Sequence, residues 1–178
     1  MGAERDDQTQ DDGVTLYLVR HAIAAERGPD YPDDSRRPLT PKGAERFREA
    51  VFGLVALDVE LDEILTSPYV RARQTAELLA EAYPKRPKIT NVHALAEGQA
   101  LEVVDTLARC AKRKRLALVG HEPGLGEVAA RLLGHRKALA FKKGGVACIR
   151  VDALPLPRPG QLIWFMPPRV LRLLGGAK

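Results

Sequence analysis

Thr15-Leu16-Tyr17-Leu18-Val19 runs directly into Arg20-His21, and Arg115-Leu116-Ala117-Leu118-Val119-Gly120 runs directly into His121. Two short apolar runs therefore each end in an imidazole. A run of four to eight apolar residues bounded by polar or turn residues is the pattern of a strand buried on both faces. In an open α/β sheet the ligand crevice lies beyond the carboxyl ends of the strands, so both histidines face one cleft if the two strands are parallel neighbours. Arg20 adds a rigid fork of donors matched to phosphate oxygens, and a neutral imidazole can attack phosphorus and carry the phosphoryl group.

Residues 22–40 are rich in Pro, Gly, Asp and Arg without periodicity, which reads as a long functional loop. Thr40 as cap and Pro41 at the first helical position then open a helix whose Phe47, Ala50, Val51, Leu54 and Leu57 recur every three or four residues. Glu63–Thr66 reads as a short strand. Ser67 is the expected cap of a second helix opening at Pro68 and running to Tyr83, with Val70, Ala72, Ala76, Leu78 and Leu79 as its apolar positions. A strand near Lys88–Asn91, a loop over His93–Gly98 and an amphipathic helix through Leu101, Val104 and Leu107 lead to the strand before His121.

Gly124–Leu133 reads as a helix stopped by Gly134, Val146–Val151 and Gln161–Met166 as an antiparallel pair, and Pro168–Leu174 as a short docking helix. Strands alternating with helices predict an α/β three-layer sandwich with a mostly parallel sheet and an antiparallel edge. The length, 178 residues, fits one domain over residues 13–178.

Composition narrows the class. With 45% hydrophobic and 29% charged residues the chain is of ordinary globular type, and no apolar stretch approaches the roughly 20 residues that span a bilayer. The amino terminus is acidic and polar rather than a signal peptide, so the expected location is the cytoplasm. Five acids against one arginine give residues 1–12 a net −4, and with +5 overall the remaining chain carries +9. The tail is expected to be disordered, and the basic body favours anionic partners. Cys110 and Cys148 form no close-spaced motif and read as small buried hydrophobes, and the four histidines are too dispersed to suggest a metal by spacing. No metal and no cofactor are expected.

Arg71 falls in the first turn of the second predicted helix, where free N–H groups and the helix dipole already favour an anion. Arg73 lies about 200° farther round the helix, so the two cannot serve one site. The competing reading of either is a solvated surface charge.

Four blocks taken together resemble a known family: Val19-Arg20-His21-Ala22, Arg37-Pro38-Leu39-Thr40, Ser67-Pro68-Tyr69-Val70-Arg71-Ala72-Arg73-Gln74-Thr75-Ala76, and Val119-Gly120-His121-Glu122-Pro123. They look like the histidine phosphatase superfamily, with the phosphoglycerate-mutase-like fold, and most like its small SixA-type phosphohistidine phosphatases. The resemblance implies that His21 is the nucleophile, with Arg20, Arg71 and His121 binding the phosphoryl oxygens. It implies that Arg37 is a further phosphate or substrate contact. These roles suit phosphoryl transfer, which depends mostly on positioning and on stabilising charge.

The sequence departs from the family pattern in two places. Ala22 stands where the family usually has Gly. The mutase-like branches also supply a carboxylic acid from a loop before the second histidine's strand, for which Glu97 is the nearest candidate, the alternative being a surface turn residue. A weak or missing acid favours a labile P–N bond over an ester.

The expected activity is a metal-independent phosphatase with a phosphohistidine intermediate, acting on a phosphate-bearing substrate, foremost phosphohistidine on a protein. The alternatives are a phosphomonoesterase on a small metabolite or nucleotide, and a noncatalytic phosphate- or polyanion-binding module. Activity should persist to mildly acidic pH and fail once His21 is protonated. The basic run Lys112–Arg115 has no aromatic interleaving and reads as a solvated turn, so no nucleic-acid partner is expected. His135 reads as exposed and His93 as a loop or pocket-rim residue.

Overall fold

In the computed structural model, which describes residues 13–109 and 113–176, β1 (Val14–Arg20) is central and pairs in parallel with β4 (Arg115–Gly120). The register sets Val19 against Val119 and Arg20 against Gly120, so the residues after the two strands emerge at one level. β2 (Glu63–Thr66) lies on the far side of β4 and β3 (Lys88–Asn91) beyond it, both parallel. β5 (Val146–Val151) runs antiparallel to β1, and β6 (Gln161–Met166) pairs antiparallel with β5 at the edge, giving the order β3-β2-β4-β1-β5-β6. This is the expected α/β sandwich with a mostly parallel sheet and an antiparallel edge. The segment 1–12, Cys110 and Lys112 lie outside the described residues.

Alternation along the central strands builds a core on each face. Leu16, Leu18, Leu116 and Leu118 face α4 (Ala100–Arg109) and α5 (Gly124–Leu133), where Val103, Leu107, Leu125, Val128 and Leu132 meet them. Val19, Ile64, Ala117 and Val119 face α1 (Pro41–Ala56), α2 (Val70–Glu81) and α6 (Pro168–Leu174) through Phe47, Val51, Leu54, Ala76, Leu79 and Leu171. Each fully buried leucine removes enough apolar surface from water to stabilise the fold by about 1.5–3 kcal/mol. α6 crosses α1 so closely that a Cβ on Gly53 would lie 1.9 Å from the Leu171 carbonyl oxygen, a contact only glycine allows.

The local signals hold at most element ends. Thr40 Oγ1 accepts from Gly43 N at 2.9 Å with Pro41 opening α1, and Gly134 ends α5 in the left-handed region at φ 67°. Two boundaries differ from the sequence reading. α2 begins at Val70 rather than Pro68, because Ser67 Oγ accepts from Tyr69 N at 3.2 Å and closes a tight turn ahead of the helix. Residues 94–97 form one helical turn, α3 (Ala94–Glu97), instead of loop, with Leu95 buried beneath it. No helix among the described residues is long and apolar enough to cross a membrane.

Candidate active site

The carboxyl ends of β1, β4 and β2 deliver the candidate residues to one crevice. His21 follows β1, and its backbone is held from two sides: its N–H donates to Gly120 O at 3.0 Å, and its carbonyl accepts from Gly144 N at 3.1 Å. His121 follows β4, and the two imidazole centroids are 5.0 Å apart, tilted by 55°. Arg71 arrives from the first turn of α2 and is 4% exposed, far from the solvated surface charge that a helical arginine usually is. Thr75, one turn on, ties this helix to β1: its hydroxyl donates to Arg71 O at 2.7 Å and accepts from Ala22 N at 3.1 Å. Ala22 is buried in the core on the α1–α2 side, which accommodates its methyl where the family has glycine.

The tautomer of His21 is set by its own chain. Nδ1 lies 2.7 Å from the Ala22 carbonyl oxygen, which can only accept, so the proton sits on Nδ1 and the Nε2 lone pair is left for chemistry. Burial, opposed by that carbonyl and reinforced by Arg71, Arg20 and Lys143, lowers its pKa to about 4. Burial, with His21 and Arg71 beside it and Asp34 opposing, lowers His121 to about 3. Both imidazoles are neutral at pH 7.

Ser67 is a member that the sequence reading missed as such. Its Oγ lies 2.8 Å from His121 Nε2 while accepting from Tyr69 N. With the hydroxyl donating to Nε2, the His121 proton falls on Nδ1, which is buried and has no partner. Arg20 Nε and Arg71 Nε are likewise buried and unpartnered, and Tyr83 Oη completes this set among the described residues. A buried N–H without a partner costs about 1–3 kcal/mol. Arg20 and Arg71 each carry one such donor, and His121 Nδ1 is a further buried nitrogen without a partner.

The other candidates sit differently. Arg37 spends its donors within the protein, Nε on Asp34 Oδ1 at 2.8 Å and Nη1 on Ala25 O at 2.6 Å. Asp34, in a 3-10 turn over Asp34–Arg36, also accepts from Arg71, and these arginines hold its carboxyl at about 2 against the opposing effect of burial. Arg20 Nη1 donates to Phe141 O at 2.5 Å, which pins the segment before β5 to the crevice. Glu97 is exposed on α3 and accepts a hydrogen bond from Tyr69 Oη, whose ring centroid is 5.0 Å from that of His121. Glu97 is thus a rim residue linked to the crevice through Tyr69, beside a cavity of about 200 Å³ that also takes in Gly120, His121 and Glu122.

Residues set aside in the sequence behave as surface. Arg73 pairs with Glu77 at 2.9 Å, Arg115 with Asp62 at 2.6 Å, and His93 and His135 are exposed. Cys148 is a free, buried cysteine, and burial raises its thiol to about 11.

A family model described as the histidine phosphatase superfamily (branch 1) matches residues 16–115. The chain is 41% identical over 147 residues to an uncharacterised protein of Picosynechococcus, covering 79% of this chain and 87% of that one. It is 25% identical over 163 residues to the phosphohistidine phosphatase SixA of Escherichia coli, covering 90% and 98% of the two chains. The solved structure of the protein histidine phosphatase SixA complexed with tungstate superposes with a TM-score of 0.79 at 25% identity, over 89% of this chain and 99% of that one.

Proposed function

The chain belongs to the histidine phosphatase superfamily, branch 1, and from that premise we propose that it is a phosphatase using a covalent phosphoryl-histidine at His21, with phosphohistidine on a protein as its substrate. The observation that carries the reading is the pair of buried, unpartnered N–H donors on Arg20 and Arg71, with the unpartnered His121 Nδ1, around a histidine whose Nε2 is left free.

In the proposed cycle the phosphoryl group enters with its oxygens on those donors. His21 Nε2 attacks phosphorus in line as the P–N bond to the substrate imidazole breaks, and that imidazole leaves with a proton taken up from water. Water then attacks the phosphoryl-His21, releasing inorganic phosphate and restoring the neutral imidazole. Arg20 and Arg71 offset the charge on the equatorial oxygens throughout, in a site from which burial removes much of the water. The first step exchanges one P–N bond for another between like imidazoles, so it asks little of a proton donor. The proposed reaction routes no step through a metal ion.

A substrate panel tests the reading. A phosphohistidine-bearing protein should lose its phosphoryl group quickly and in a His21-dependent manner, with or without chelator, while alkyl phosphate monoesters turn over slowly. Fast ester hydrolysis alone moves the protein to metabolite chemistry. Phosphate binding without turnover makes it a binding module, and loss of activity on chelation removes metal independence.

A further inference from the structure

Both oxygens of one carboxylate in the aperiodic 22–40 loop are spent on arginines. Asp34 Oδ2 accepts from Arg71 Nη2 at 2.9 Å, and the Asp34 carbonyl accepts from Arg71 Nη1 at 2.6 Å. Its other oxygen, Oδ1, takes Arg37 Nε at 2.8 Å and Arg27 Nε at 2.7 Å. The Arg71 and Arg37 side chains are 5% and 11% exposed, against 79% for Arg27, so the first two form the buried part of the chain of contacts.

This arrangement divides the Arg71 guanidinium into two edges. The Nη1–Nη2 edge is bound to Asp34, while Nε is buried and unpartnered. The planar fork cannot rotate without losing both Asp34 bonds, so the Nε edge has one direction to face. Arg37, with Nη1 on Ala25 O, holds Asp34 from behind, and the loop ends are clamped by Ala25 N to Pro38 O at 2.9 Å and Thr40 N to Ile23 O at 3.0 Å.

We propose that Asp34 is a positioning residue that presents the Nε edge of Arg71 to the phosphoryl group, and that Arg37 acts on Asp34 rather than on substrate. The inference rests on the phosphatase reading given above, which it deepens. An oriented guanidinium gains most in the transition state, where charge gathers on the equatorial oxygens, so loss of orientation falls on kcat more than on ground-state binding. Removing the Asp34 charge also leaves the site more positive, which favours anion binding.

The test compares wild type, Asp34→Asn, Arg37→Gln, Arg71→Ala and the Asp34→Asn/Arg71→Ala double variant, using a phosphohistidine protein as substrate and tungstate as the oxyanion probe. Asp34→Asn should lower kcat by about 10²-fold while KM and the tungstate inhibition constant stay within about threefold of wild type. In the Arg71→Ala background the same change should alter kcat by less than about threefold, because its effect passes through Arg71. Arg37→Gln should lower kcat without raising KM, and it carries the test if Asp34→Asn fails to fold. A rise in kcat in Asp34→Asn would show that the carboxylate obstructs the site. Multiplied losses in the double variant, or a raised KM in Arg37→Gln, would overturn the relay.

The Arg71 Nε–H proton signal separates this inference from the phosphatase reading. Tungstate should shift it downfield in wild type and much less in Asp34→Asn. Absence of turnover with that pattern intact fails the phosphatase reading and leaves the positioning role standing, whereas no response of Arg71 Nε–H in wild type refutes the role.

Discussion

Burying two neutral imidazoles makes the fold sensitive to acid in a window that the histidines set. Their folded pKa values are about 4 for His21 and about 3 for His121, both below the unfolded value of about 6.5. The unfolded chain therefore binds more protons than the folded one below about pH 6.5. Stability is fully present above that point, falls as pH drops through the window, and levels off below the folded values. At about pH 5 the folded protein still holds both rings neutral, so the penalty depends on the unfolded value alone and comes to about 2 kcal/mol for each histidine. The two add there because neither is charged in the folded state. Asp34 and Asp62, whose carboxyls are held low by Arg37, Arg71 and Arg115 against burial, lose their contribution only below about pH 3.8, outside the range from about pH 8 to about pH 5. Urea unfolding followed by fluorescence of Trp164, the single tryptophan, reads the effect from a half-buried ring 6.0 Å from Tyr17. Wild type should lose about 4 kcal/mol between about pH 8 and about pH 5, His21→Gln about 2, and His21→Gln/His121→Gln close to nothing. Equal pH slopes in wild type and the double variant would refute the claim that these rings are held neutral by burial.

The same burial governs rate: kcat/KM on a phosphohistidine protein should stay flat from about pH 7 to about pH 5 and fall near about pH 4 as His21 protonates. An acid limb centred near about 6.5 contradicts it. Ser67→Ala removes the hydroxyl on His121 Nε2 and should lower kcat by about 10-fold, roughly one buried hydrogen bond, with little change in melting temperature; an unchanged kcat denies Ser67 a part in orienting His121. Gly53→Ala drives a Cβ onto the Leu171 carbonyl oxygen and should destabilise the fold by about 1–3 kcal/mol or more in urea titration, through separation of α6 from α1. A neutral result there means the two helices are not held in this contact in solution.

Much of this was legible in the chain because it rests on local periodicity. Runs such as Leu116–Val119 are apolar at every position, which only a strand covered on both faces needs, and the residues after two such strands had to meet if the strands were parallel neighbours. Arg20, His21 and His121 were read as candidates that way, and Arg71 by its place in the first turn of α2, and the structure brings the two histidine rings within 5.0 Å of each other. Asp34 was not, since nothing in an aperiodic loop tells which carboxylate folds back onto a helix 37 residues later. Arg37 was read, from the block it belongs to, as a phosphate or substrate contact; its bond to Asp34 could not be read because a charge inside a protein pairs with the carboxylate nearest in space, which the sequence does not show. Ser67 was read as a helix cap. Its oxygen instead closes the turn before α2 and reaches His121, a contact that depends on β2 and β4 being adjacent.

The most direct test of the account is to trap the phosphoenzyme. After brief incubation with a labelled phosphohistidine protein and a rapid alkaline quench, the label should sit on Nε2 of His21. It should be stable in base and lost in acid, and absent from His21→Ala. Turnover at full rate with no label on His21, or with the label on another residue, would contradict the claim that this histidine carries the phosphoryl group.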